Sequence, residues 1–404
     1  MLLNRFPIGV HANTKPSNKD NLKHTYDMLY LCTCALNGDT ARISLVTNMD
    51  LPKVFACCCE HSVEAMAYEA IEKLLKENSF ENSEFPQRFL NNSLLNEWRG
   101  RRDASVRKVI LLDAMRNSLY KFMDQIGAWH VSLKGIVLKD LYPKCGMRQM
   151  ADNDVFFDEN FREQVRDWFV SQGFTVQLYG VANEDVYLKP PFYNFEMHAQ
   201  LFDGDRHGEL QRYFENHRGD FTRNEDFYLY LVTHEYMHYS SCGTGIRSLT
   251  DRYVYLAKHN LDFSYVQTEA KKIGIAEFEL ASRLLVQKVF GNGFNSSTLN
   301  AQERKMLEYY LLSGTYGTEE RGVENALNKQ VLSIGSKKAA KIAFAVGRVF
   351  PPRQRMAVWC ELYAPALRSH WLLPLAYLWR ILRPFISQES STKTKNEIRN
   401  IIKH

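Results

Sequence analysis

Asp152-Asn153-Asp154 sets two carboxylates two residues apart. In an extended strand such residues project from one face, so both can serve the same divalent cations. Glu196, between Phe195 and Met197 in a later apolar run, offers a third oxygen donor. Three carboxylates brought together suit one or two Mg²⁺ ions that hold a nucleoside triphosphate for in-line attack. Upstream, Lys134-Gly135 ends the stretch WHVSLKG. A glycine there lets backbone N–H groups approach a phosphate, and a lysine neutralises it. Taken singly these signals are common: 46 acidic residues in 404 give about five D/E-x-D/E triplets by chance. An isolated Glu196 reads as a strand-edge charge. Their order along the chain is what carries weight.

A second pattern competes. His234-Glu235-Tyr236-Met237-His238 is the HExxH arrangement of zinc metallopeptidases, expected by chance about once in fifty such chains. On a helix its two histidines share a face one turn apart, and the glutamate can activate a zinc-bound water. Against it, Ser241 stands where the longer zinc motif wants glycine, and the third histidine is missing. Glu269, Glu277 and Glu279, the available downstream ligands, sit in no recognisable motif. The histidines therefore read as lining or packing against a cleft. Arg247 and Asp251 lie one helical turn apart, which by itself reads as an ion pair, and functionally as a segment closing over nucleotide or acceptor. His198 shares a strand face with Glu196 and reads first as a packed, hydrogen-bonded histidine.

These residues need a scaffold, and the pattern predicts one. Helical periodicity covers Leu22 to Leu36, Pro52 to Leu75, and a long run from WRGRRDASVRK to Ile126, with breaks at NGD (37–39) and NNS (91–93). The character then changes. WHVSLKG, DVFF (154–157), TVQLYGV and FEMHAQLF read as strands, with IVLKDLY and Glu159 to Gln172 as helices. Helices return from about residue 206 to Ile386, and a polar tail follows. The expected organisation is an N-terminal helical region (1–100), an α/β core (101–205), a C-terminal helical domain (206–386) and a tail (387–404).

A chain of 404 residues excludes a single small module and can bury a large core without staples. Lys and Arg exceed Asp and Glu by five, too few to predict a nucleic-acid-coating surface. The eight cysteines include three in a row (Cys57, Cys58, Cys59) and no CxxC pair, which argues for reduced thiols and a cytoplasmic setting. MLLNRFPIGV lacks the apolar core of a signal peptide, and no run is long enough to span a bilayer. Trp371–Arg383 reads as a terminal helix docked on its domain, with contact to a membrane surface as the alternative.

LKGIVLKDLYPKCGMRQMADNDVFF resembles the bacterial nucleotidyltransferase family related to the abortive-infection and MenA-type toxin transferases, which share a DNA polymerase β-like core. The resemblance extends over CCCEHSVEAMAYEAIEKL, FEMHAQLF, THEYMHYSSCGTGIRSLTDRYVYL and HWLLPLAYLWRILR. It implies an α+β fold with a polymerase β-like core flanked by helical regions. It also implies transfer of NMP from an NTP, ATP being the expected nucleotide, to a hydroxyl on protein, RNA or a small molecule, with Mg²⁺ or Mn²⁺. No DNA partner is implied. By the same resemblance Asp152, Asp154 and Glu196 hold the metal, Lys134 and Gly135 grip the nucleotide, and Arg148 lies near the triphosphate; Arg247 and Asp251 fall in the family's G-x-R-x-x-x-D segment. Two residues depart from the pattern: Ile136 follows the glycine, and Asn153 stands between the acids. They keep open a non-catalytic nucleotide-binding protein as a further alternative.

Overall fold

Asp50 starts the first well-capped helix, its carboxylate accepting the N–H of Lys53 (3.3 Å) with Pro52 in the first turn. That helix, Leu51–His61, stops at Ser62, whose left-handed backbone (φ 52°) turns the chain into a second helix, Glu64–Glu77. The single helical run expected from Pro52 to Leu75 is thus two helices. The computed structural model describes residues 18–77, 93–215, 221–291, 296–386 and 399–401. Residues 91 and 92 of the expected NNS break, and most of the polar tail, lie outside them.

Five strands form one mixed sheet: β1 (His130–Ser132), β2 (Asn153–Phe157), β3 (Thr175–Leu178), β4 (Glu184–Lys189) and β5 (Tyr193–His198), in the order β1-β2-β5-β4-β3. Only β2 and β5 run parallel; the other neighbours are antiparallel. Strand β4, sequence EDVYLK, is additional to the four strands that periodicity predicts. Its apolar part is the short core VYL between charged ends, too brief to stand out.

The two faces of the sheet differ. Val155, Phe157, Phe195, Met197 and Tyr187 point into a core shared with Val109, Leu112, Leu119 and Met123 of the 34-residue helix Ser93–Ile126 and with Phe169 of the helix Arg162–Ser171. Strand alternation sends Asp154, Phe156, Glu196 and His198 to the opposite face. There Phe156 packs in a second core with Tyr230 and Val232 of the helix Asn224–Tyr239. A third core joins residues from the first hundred (Met28, Tyr68, Trp98) to Ile246, Leu285 and Tyr310 of later helices. Helical segments distant in sequence therefore share one interior. All eight cysteines are free, and among the described residues no helix is long and apolar enough to cross a membrane.

Candidate functional site

The parallel register of β2 and β5 sets Asp154 directly opposite Glu196, and Phe156 opposite His198. Both acids thus emerge on the sheet face away from the long helix. Ligand atoms of Asp154, Glu196 and His198 all lie within 4.8 Å of one another, the one such group of metal-binding side chains among the described residues. Asp152, just before β2, is outside that group, yet its charge acts on Glu196.

Asp154 Oδ1 accepts hydrogen bonds from Lys134 Nζ (3.0 Å) and from His198 Nε2 (2.9 Å). Burial would raise this carboxyl, but Lys134 and His198 outweigh it and hold Asp154 far below the usual carboxylate range. Burial opposes the Lys134 ammonium, but Asp154 beside it holds it well above its ordinary value. Glu196 goes the other way: burial, then the charges of Asp152 and Asp154, push its carboxyl well up. Burial and Asp154 also raise Asp152. Crowded like charges that favour protonation are what a divalent cation would relieve. The carboxylate oxygens suit Mg²⁺ or Mn²⁺, so the residues fit the metal that the family implies. His198 is 3% exposed and orients Asp154, the packed, hydrogen-bonded role expected of it.

Around this centre the other sequence-selected residues divide into a frame and a rim. Arg148 is buried and gives both ends of its guanidinium to Asp251 (Nε–Oδ1 2.8 Å, Nη2–Oδ2 2.9 Å). Asp251, on the helix Ile246–Lys258, also accepts the Tyr142 hydroxyl (2.7 Å). The Arg247–Asp251 ion pair suggested by spacing is replaced: Arg148 takes Asp251, and Arg247 Nη1 reaches the Gln149 carbonyl (3.5 Å). Gly135 has a packing reason, since a Cβ there would lie 3.0 Å from Arg148 Cζ and 3.1 Å from Met150 Cε. Beside it Lys134 takes a left-handed backbone (φ 42°) as the strand passes into the short helix Lys134–Leu138.

Arg247 is part-exposed and its charge is felt by Asp152. A second cation stands nearby. Lys108, on the long helix, donates to the Ala151 carbonyl (3.1 Å); burial lowers its pKa, and the charge of Asp152 works against that. Sequence reasoning passed over Lys108 inside WRGRRDASVRK. Its signal is spacing: Arg101, Ser105 and Lys108 follow one face of a helix, and Ser105 Oγ donates to the Gly146 carbonyl (2.8 Å). Ile136 and Asn153, the two departures from the family pattern, face away from the acids. Ile136 joins the core with Met150 and Val155, and Asn153 bonds Arg116 (3.3 Å) and the Leu112 carbonyl (3.4 Å).

The HEYMH helix turns its histidines toward the acidic cluster. His234 and His238 Nε2 are 3.3 Å apart, and burial followed by the Lys134 charge lowers both imidazoles. Glu235 points elsewhere, paired with Arg252 (3.1 Å) and accepting the Tyr310 hydroxyl (2.6 Å) in a buried network. A glutamate so engaged cannot activate a water at the histidines. Among the described residues no metal-binding group includes His234 or His238.

A family model described as an uncharacterised nucleotidyltransferase matches residues 47–291. The match takes in all five strands, the acidic cluster and the HEYMH helix. No curated protein and no solved structure matches the chain.

Proposed function

The chain belongs to the uncharacterised nucleotidyltransferase family, and from that premise we propose that it transfers NMP from an NTP, ATP by expectation, to a hydroxyl acceptor with release of pyrophosphate. The observation that carries this reading is the direct pairing of Asp154 with Glu196 on parallel strands, with Asp152 just ahead of them. Asp152, Asp154 and Glu196 would hold Mg²⁺ or Mn²⁺. Bound there, the metal supplies Lewis-acid activation of the acceptor hydroxyl and offsets charge on the phosphates.

The protein's own groups do the rest. His198 keeps Asp154 aimed into the site. Lys134, resting on Asp154, is the cation placed to move onto phosphate oxygens, and Arg247 and Lys108 add positive charge at the rim. Arg148 acts through Asp251: it ties the Lys134–Gly135 turn to the helix Ile246–Lys258, so the nucleotide grip and the helical layer hold one position. Either aspartate, or the metal-bound arrangement itself, would take the acceptor's proton as its oxygen attacks the α-phosphorus. The polymerase β-like core remains part of this proposal. So does the C-terminal helical domain as the wall facing the acids.

Calorimetric titration of the protein with each NTP, with and without Mg²⁺, tests the reading. Binding should require the metal and vanish in Asp154→Asn. Metal-independent binding, or none with any NTP, would sink it. A degenerate nucleotide-binding protein is disfavoured because neither Ile136 nor Asn153 touches the acids.

A further inference from the structure

Charge is distributed unevenly along the chain. Residues 325–386 contain ten Lys or Arg and one acid, Glu361, a net charge of +9 in a chain whose total is +5; the remaining residues sum to −4. The same segment carries apolar side chains turned to solvent. On the helix Lys337–Val349, Ile342, Val346 and Val349 follow one face and are 59%, 55% and 41% exposed. On the helix Leu373–Ile386, Leu378, Leu382 and Phe385 repeat that spacing, at 53%, 43% and 84%. The two helices meet where the Tyr377 hydroxyl donates to the Pro351 carbonyl (2.6 Å) and the Phe350 ring lies 6.2 Å from Tyr377.

Lys337 and Lys338 occupy the first turn of their helix, where the dipole favours acids. Two exposed lysines there run against the dipole, so local helix stability does not favour them. Arg380 and Arg383 lie over Trp359 and Tyr363, on the side packed against the helix Arg353–Tyr363. We infer that this segment docks on an anionic lipid surface, with its aliphatic and aromatic stripes at the headgroup–acyl boundary and its lysines among the phosphates. A second copy docked through the same segment would bring like charge onto like charge. The tail 387–404 and residues 1–17 are themselves each net positive by two, so neither neutralises the segment. Nucleic acid would satisfy the charge but leave the aliphatic stripes in water. The inference is independent of the transfer chemistry proposed above.

Sedimentation of the full chain with vesicles tests it. Vesicles of phosphatidylcholine with about a quarter phosphatidylserine should bind at least tenfold more tightly than phosphatidylcholine alone, since each basic residue near an anionic surface is worth about fivefold. High salt should weaken that binding. Lys337→Glu with Lys338→Glu, and separately Leu382→Ser with Phe385→Ser, should each lower it roughly tenfold or more while Mg²⁺-dependent NTP binding is unchanged. Equal affinity for both vesicle types, absence of binding to either, or insensitivity to both double substitutions would overturn the inference. A gel shift with single-stranded RNA that both double substitutions abolish, without vesicle binding, would assign the surface to nucleic acid and overturn it too.

Discussion

Asp152 and Asp154 provide a paired test because the structure gives their charges opposite energetic roles. Asp154→Asn removes the negative charge opposite Lys134, whose side chain is only 17% exposed, and the charge that strengthens the His198 hydrogen bond. Removing one member of a buried pair costs about 3–5 kcal/mol, so this variant should unfold at clearly lower urea. Asp152 has no comparable partner, and its charge opposes Asp154 and Glu196. Carboxylates two residues apart in extended chain are about 6.6 Å apart. At an effective dielectric of 20 their repulsion is about 2.5 kcal/mol. Asp152→Asn should therefore leave the metal-free protein unchanged or stabilise it by up to about that amount. Both variants should lose Mg²⁺-dependent NTP binding. Urea unfolding followed by tryptophan fluorescence, beside calorimetric NTP titration, reads the two effects separately. If Asp152→Asn falls as far in stability as Asp154→Asn, or if either variant keeps metal-dependent binding, the assignment of these carboxylates is refuted.

Four further outcomes follow from other parts of the fold. Buried His61 accepts the Ile246 N–H at Nδ1 (3.4 Å) and donates from Nε2 to the Leu311 carbonyl (3.1 Å), and burial pushes its pKa down to about 4. The unfolded chain binds that proton below pH 6.5 and the folded chain only near 4. Stability from this group is thus full above 6.5 and lost, by roughly 3 kcal/mol, as pH falls toward 4. His61→Gln should flatten this acid limb in urea titrations across pH 4–7, and an unaltered limb would discount the group. Glu235→Ala should cost about 3–5 kcal/mol by stranding buried Arg252, whereas His234→Ala should leave zinc content by atomic absorption unchanged; zinc lost with His234 would restore the metallopeptidase reading. Gly135→Ala should lower the urea midpoint by the equivalent of about 1–3 kcal/mol, because its Cβ meets the clamped Arg148 guanidinium; wild-type stability would show that the clamp yields freely.

The candidate site was largely legible because its information is local. Asp152 and Asp154 advertise a shared strand face by spacing, and Glu196 stands out as an acid between apolar neighbours. The partners that tune them are not local. His198 acquires its role only when β5 lies parallel to β2, and Lys108 reaches the Ala151 carbonyl only across a helix–loop contact. Arg148 shows the same limit: the family resemblance put it near the triphosphate, and its bidentate pairing with Asp251, on a distant helix, has no signal in the sequence. The HEYMH pattern left the metallopeptidase open as an alternative for a related reason. Periodicity places the histidines on one face but cannot say that Arg252 and Tyr310 engage the intervening glutamate. In the fold, the long helix and four strands announced themselves by period. Strand β4 was hidden by its charged ends, and the Ser62 break by a residue with no turn signature.

The parallel seam between β2 and β5 gives the acidic face of the sheet a reading frame. Asp154 and Glu196 come from strands far apart in the chain, and they coincide only because Phe195, Glu196, Met197 and His198 each keep a partner in β2 and in β4 at once. Deleting one residue within β5 would turn either Phe195 or Met197 toward the acidic face and drive the glutamate into the packed side beneath. Length changes in the connection at residues 179–183 lie outside all three strands and leave that frame intact. Variation in a chain of this kind should therefore collect in such connections, while the strands accept substitutions but not insertions.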